Sequence, residues 1–223
     1  MTTSVMDCTD PGSWGPAIDE AVNAVARGAL VVLPTDTVYG IGADAFNPQA
    51  VAALLAAKGR GRQMPPPVLV PELRTLDGLC ADLPPLARDM VEAFWPGGLT
   101  VICRAQPSLA WDLGETRGTV AVRMPDHPAA LALLRRTGPL AVSSANLTGR
   151  PAARTAVAAA EQLGASVAVY LEAGRSPGGV ASTIVDATGP LRLVRTGAIS
   201  LAELRRVADV LDVDDARDGA DAP

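Results

Sequence analysis

Ala29-Leu-Val-Val-Leu33-Pro-Thr-Asp-Thr37-Val-Tyr39-Gly-Ile-Gly-Ala-Asp44 holds an apolar run, a polar loop and a second extended segment. Residues 29–33 are continuously apolar and too few for a helix. That is the pattern of a strand covered on both faces, as in α/β proteins, and not of one with a wet side. Pro34 closes it, since proline cannot donate to a strand ladder. Thr35, Asp36 and Thr37 then sit just past its carboxyl end, where open α/β sheets bind ligands. Residues 37–43 read as extended again, and Gly40 and Gly42 allow a ligand or another strand to come close. Gly40-Ile-Gly-Ala-Asp-Ala45 formally fits a dinucleotide fingerprint. It does not open a helix directly, and no acidic residue follows at the distance of a ribose partner, so a dinucleotide fold is rejected.

The flanking segments alternate in type. Residues 16–27 form a predicted helix with Ile18, Ala21, Val22 and Val25 on one face and Gly28 as its stop. Asn47 caps the next helix, with Pro48 in its first turn. Val51, Leu54, Leu55 and Lys58 recur at helical spacing, so Lys58 ends an apolar stripe at the rim of the core. Further strands are expected at residues 67–70, 99–103, 119–123, 140–143, 167–171, 182–186 and 191–195. Further helices are expected at 85–94, 128–136 and 155–163, and a Ser200–Glu203 capping box starts a last one that runs to about Leu211. The expectation is one α/β domain over residues 14–211, a twisted mixed sheet flanked by helices around an open concave cleft. Residues 212–223 carry five Asp and one Arg and are expected to form a disordered acidic tail.

Composition narrows the chemistry. The 223 residues are 48% hydrophobic but only 3% aromatic, so the core is Val, Leu, Ile and Ala. No apolar run approaches the length of a membrane span, and the first residues lack the basic and apolar parts of a secretory signal. Net charge is −5, without the basic footprint of nucleic-acid binders. Cys8, Cys80 and Cys103 are odd in number, widely spaced and free of any CxxC pair, which leads to the expectation of a reducing cytoplasm, no disulfide and no zinc. His127 is the single His, too few for a His-based metal centre or triad, and it reads as a helix-start residue. Eighteen of the 19 cationic side chains are Arg; Lys58 is the exception, in Lys58-Gly-Arg60. Arg62, Arg150 and Arg154 read as solvated, and Trp95-Pro-Gly-Gly98 as a structural turn. A second polar loop, Ser143-Ser-Ala-Asn146, also leaves the end of an apolar strand. There is no P-loop signature.

Seven segments in order resemble the YrdC family, the L-threonylcarbamoyladenylate synthases. They are the stretch 33–44, Lys58-Gly-Arg60 with Pro65, Trp95-Pro-Gly-Gly-Leu-Thr100, residues 119–127, Ser144-Ala-Asn146 with Gly149, Ser182-Thr-Ile-Val-Asp186 and Arg195-Thr-Gly-Ala-Ile199. The resemblance covers roughly residues 14–200, in the short form without the extra C-terminal domain. It implies that L-threonine, bicarbonate and ATP give L-threonylcarbamoyladenylate and pyrophosphate. A threonylcarbamoyl-transferase complex would use the product to modify tRNA next to the anticodon.

The same resemblance assigns Lys58 and Arg60 to catalysis and to the triphosphate. It assigns Thr35, Tyr39, Arg123, Ser143 and Ser182 to threonine. Thr119, Ser144, Asn146 and Arg195 go to ATP. Mg2+ would accompany ATP, held by phosphates and water more than by protein, and the reading of Asp36 as its neighbour is set aside, so no side chain is assigned to a metal. Gly61, Pro66 and Leu69 depart from the family pattern and concern the shape of the loop after Lys58. Two other classes fit the same residues: an RNA-binding module of the tRNA pathway, whose direct contact with tRNA the residues leave open, and a carbamoyl-adenylating domain of hydrogenase maturation.

Overall fold

Val31 and Leu33 pack on one face of a sheet, and Leu30 and Val32 on the other. The continuous apolar run is therefore a central strand covered twice. The structure, a computed structural model, describes residues 4–213. In chain order its strands are β1 (Ser4–Asp7), β2 (Val31–Leu33), β3 (Gly40–Asp44), β4 (Val68–Leu69), β5 (Leu99–Arg104), β6 (Thr119–Arg123), β7 (Leu140–Ser144), β8 (Val169–Glu172), β9 (Thr183–Asp186) and β10 (Arg192–Arg195). The helices are α1 (Gly15–Ala26), α2 (Pro48–Ala57), α3 (Leu73–Leu79), α4 (Pro85–Phe94), α5 (Pro128–Thr137), α6 (Ala156–Leu163) and α7 (Leu201–Leu204). All described strands join one sheet in the order β1-β8-β2-β3-β7-β4-β6-β5-β9-β10, with parallel and antiparallel pairs mixed. No helix among the described residues is long and apolar enough to cross a membrane.

The two halves of the sheet are covered differently, and the difference makes the cavity. Over β2, β3 and β8, α1 and α5 pack on one face and α2 and α6 on the other. Over β5, β6 and β9, α4 and α7 pack against Leu99, Val101, Cys103, Val122 and Val185. The alternate residues Thr100, Ile102, Ala121, Arg123 and Ile184 face no helix layer and line an open hollow instead.

Local signals explain most of the element ends. Asn47 accepts from the N–H groups of Gln49 and Ala50, and Gly28 and Gly59 take positive φ of 73° and 60° just past α1 and α2. Gly40 pairs with Ser144 across β3 and β7. A Cβ there would lie 2.5 Å from Val142 Cγ1, so only glycine lets β7 carry valine at the cavity wall. Gly40→Ala is expected to cost about 1–3 kcal/mol through forced repacking. Thermal unfolding checks this, and an unchanged midpoint would show that β7 shifts freely.

Several expectations need correction. A strand ahead of residue 14, β1, pairs in parallel with β8; its four residues carry too short a pattern to be read. Helix α3 also went unread, for it is seven residues long with Gly78 inside. The Ser200–Glu203 capping box is present, but α7 ends at Leu204 and not near Leu211. Arg205 Nε binds Val210 O, and the chain turns back so that Leu211 pairs beside Arg192. Cys80 and Cys103 form a disulfide, contrary to the expectation of none. A bridge between Cys80 and Ala105 lays the end of α3 along β5, a proximity that a separation of 23 residues does not betray. Cys8 is free and buried. Of the expected tail, only Asp212 and Val213 fall within the described residues.

Candidate active site

A cavity of about 260 Å³ opens where the Pro34–Val38 loop, the loop after Lys58, β5, β6, β7 and β9 meet. Its lining contains three guanidinium groups, Arg60, Arg123 and Arg195, several hydroxyls, and no carboxylate. Pro65, Pro66, Leu69, Val142 and Ile184 supply apolar wall. Of the residues expected at a site, Thr35, Tyr39, Thr119, Ser143, Ser144 and Ser182 line it with those arginines. Lys58 and Asn146 do not.

Lys58 corrects the expectation of a rim position. It is 3% exposed, and its ammonium donates to Ser144 O and to Asn146 O, the latter at 2.6 Å. The stripe Val51, Leu54, Leu55 carries it inward, and the ammonium emerges under the loop after β7. Burial, with Arg60 nearby, lowers its pKa to about 8. Asn146 Nδ2 donates to Leu147 O and Arg150 O, both at 2.8 Å, so it braces the same loop from behind. Asn146 Oδ1 is buried without a partner.

Arg123 is 6% exposed. Its Nε donates to Gly97 O at 2.9 Å, Nη1 to Thr37 Oγ1 at 2.8 Å and Nη2 to Asp36 Oδ1 at 2.6 Å. The Trp95–Gly98 turn therefore does more than turn the chain, since its Gly97 carbonyl aims Arg123. Asp36 also accepts from the Asp126 N–H at 2.9 Å. Both contacts fall on Oδ1, so that oxygen of Asp36 is engaged in positioning Arg123 and the chain at Asp126. Among the described residues no group of three or more His, Cys, Asp or Glu is suited to holding a metal ion.

Proton direction in the Thr35–Thr37 pair follows from valence. Thr35 Oγ1 gives its one proton to Val38 O at 2.6 Å. The 3.0 Å contact to Thr37 Oγ1 must then be donated by Thr37. Thr35 Oγ1 accepts from the Thr37 N–H as well, so its hydroxyl is spent inside the loop. Thr37, which the sequence placed in this loop but to which no ligand was assigned, retains acceptor capacity toward the cavity.

Opposite, Arg60 Nη1 donates to Ser143 Oγ at 2.8 Å, which leaves the serine proton available. Arg195 donates to Ser182 O at 2.8 Å and to Ser182 Oγ at 3.2 Å, and Ser182 Oγ meets Thr100 Oγ1 at 2.8 Å. Thr100 was also missed; its place in the Trp95–Thr100 segment was the available signal. Burial lowers the pKa of Arg60, and Arg195 adds to that; burial does the same for Arg195. Cations that repel one another across a wall without carboxylates make a receptor for anions. Arg154 is half-buried and donates to Ser176 O at 2.7 Å.

The sequence and the fold both resemble known proteins. Residues 23–197 match the profile of the Sua5/YciO/YrdC family, described as telomere recombination. A Mycobacterium tuberculosis protein provisionally named threonylcarbamoyl-AMP synthase is 54% identical over 95% of this chain and 97% of its own. The crystal structure of Pyrococcus abyssi Sua5 complexed with L-threonine is 32% identical, with a TM-score of 0.89, over 94% of this chain and 62% of that one. E. coli YciO, 22% identical over 91% of this chain and 100% of its own, shares the fold with a TM-score of 0.81.

Proposed function

This chain belongs to the Sua5/YciO/YrdC family, and on that premise we propose that it makes L-threonylcarbamoyladenylate from L-threonine, bicarbonate and ATP, with release of pyrophosphate. The observation that carries the reading is the cavity walled by Arg60, Arg123 and Arg195 and free of carboxylates. Both substrates that must meet there bring anionic groups, and guanidinium suits bidentate oxyanion binding.

The chemistry asks for no protein nucleophile. The amine nitrogen of threonine attacks the carbon of bicarbonate, and water leaves to give the N-carboxylate. A carboxylate oxygen then attacks the α-phosphorus of ATP as the bond to the β-phosphate breaks, and pyrophosphate departs with the electron pair. The work left to the protein is to juxtapose reactants and stabilise charge. Arg123, with three donors committed, keeps others for the threonine carboxylate. Arg60 and Arg195, with Lys58 behind them, face the phosphates. Ser143, Ser144, Ser182 and Thr119 supply hydroxyls to both substrates, and Asn146 shapes the loop against the nucleotide.

Mg2+ belongs in this scheme with the phosphates of ATP, and no step is assigned to it. The acyl-adenylate is consumed by a threonylcarbamoyl-transferase complex acting on tRNA. ATP and that acceptor place the reaction in the cytoplasm; thiol chemistry no longer argues for it, since Cys80 and Cys103 are bonded.

Threonine- and bicarbonate-dependent release of pyrophosphate from ATP tests the function. Release that ignores threonine, or that carbamoyl phosphate supports in its place, rejects it. A pH dependence follows from Lys58. Its pKa near 8 in the free protein means that its charge is present below that pH and fades above it. ATP phosphates favour the charged form, so kcat/KM for ATP is expected to be level below about pH 8 and to fall above it, by up to about tenfold per pH unit. A profile that is flat through pH 9 removes Lys58 from the phosphate field.

A further inference from the structure

Tyr39 lines the cavity, yet its hydroxyl is engaged at the end of β8. Its proton is shared between Gly174 O at 2.7 Å and Glu172 Oε1 at 3.1 Å, and its oxygen accepts from the Ala173 N–H at 3.0 Å. Glu172 does not line the cavity, but its carboxylate collects several elements. Oε1 accepts from the Gly174 N–H at 2.7 Å, and Oε2 accepts from the Ala156 N–H at the start of α6 at 2.9 Å.

From Gly174 to Gly179 the chain forms a strap along the Thr35–Thr37 loop. Ser176 Oγ donates to Thr35 O at 3.1 Å, Gly178 N–H to Asp36 O at 3.1 Å and Gly179 N–H to Thr37 O at 2.7 Å. Three consecutive carbonyls are fixed, and with them the peptide planes that aim the Thr35 and Thr37 side chains. Thr37 Oγ1 in turn receives Arg123 Nη1. A continuous series of contacts therefore runs from Glu172 through the strap to Arg123.

We propose that Glu172 is a positioning residue for the end of the cavity that receives the amino acid, holding the Gly174–Gly179 strap and Tyr39 and through them the Thr35–Thr37 loop. The choice of threonine as the ligand rests on the function proposed above; the mechanical link does not. Glu172→Gln keeps size but turns one acceptor into an NH2 group facing an N–H, so one of its clamps must open.

In hydrogen–deuterium exchange, Glu172→Gln is expected to speed amide exchange at residues 35–39 and 174–179 by about tenfold or more, with β5 and β6 unchanged. In steady-state assays KM for threonine is expected to rise about tenfold while KM for ATP stays within about twofold, the mark of lost placement at one end only. Ser176→Ala, which removes only the hydroxyl bond to Thr35 O, is expected to shift the same amides and the same KM by about threefold, so poor folding of the first variant does not remove the test. Unchanged exchange at 35–39, or a parallel rise of both KM values with exchange rising throughout, overturns the proposal. If the wild-type protein fails to turn over threonine, the functional reading falls and the exchange result alone decides the mechanical link.

Discussion

Lys58→Ala is expected to lower pyrophosphate release by about a hundredfold to a thousandfold, because it removes a fixed positive charge behind the phosphates and the brace of the loop that carries Ser144 and Asn146. It is also expected to destabilise the protein, which a rim position would not imply. The ammonium is the partner of Ser144 O and Asn146 O under a buried loop. Its removal leaves those carbonyls short of donors at about 1–3 kcal/mol each where they stay dry. Relief of its repulsion with Arg60 offsets part of that. Lys58→Met keeps the stem and the packing, and so separates the lost charge from a cavity. Activity near wild type in either variant would remove Lys58 from the chemistry. Lost activity with an unchanged unfolding midpoint would show that water replaces the ammonium.

Arg123→Ala is expected to cost about 3–5 kcal/mol, because it strands a partly buried carboxylate and leaves Thr37 and Gly97 without their donor. For a chain of this size that corresponds to a fall in melting temperature of roughly 6–20 °C. Threonine should no longer saturate the enzyme, since the substrate carboxylate loses its partner while Arg60 and Arg195 still serve ATP. Asp36→Asn removes the charge but keeps an acceptor and is expected to cost less. Combined with Arg123→Met it should recover part of the stability lost by Arg123→Met alone, the signature of a coupled pair. A double variant as unstable as the sum of its singles would show that the pair is not coupled.

The elements that could be read from the chain were those whose own residues state their period. The Val31–Leu33 strand, the Asn47 cap and the Pro85–Phe94 helix need no tertiary context. What stayed hidden was set by distant partners. β1 exists because β8 offers an edge, and the disulfide because α3 ends beside β5. At the site, residue types were legible but the direction of their bonds was not. Arg123 followed an apolar strand and was singled out, whereas Thr37 looked like one more loop hydroxyl until Arg123 was seen to bind it. Lys58 shows the limit of periodicity, which placed it on the right stripe but could not tell how deep that stripe runs.

The strand order has a consequence for synthesis on the ribosome. β8 inserts between β1 and β2, and β9 and β10 close the far side next to β5, so neighbours in the sheet are seldom neighbours in the chain. Ser182 and Arg195 belong to those late segments, whereas Thr35 and Tyr39 emerge early. A nascent chain therefore has no receptor to fill until the β9 and β10 segments have left the exit tunnel, and substrate cannot rescue a product terminated before them.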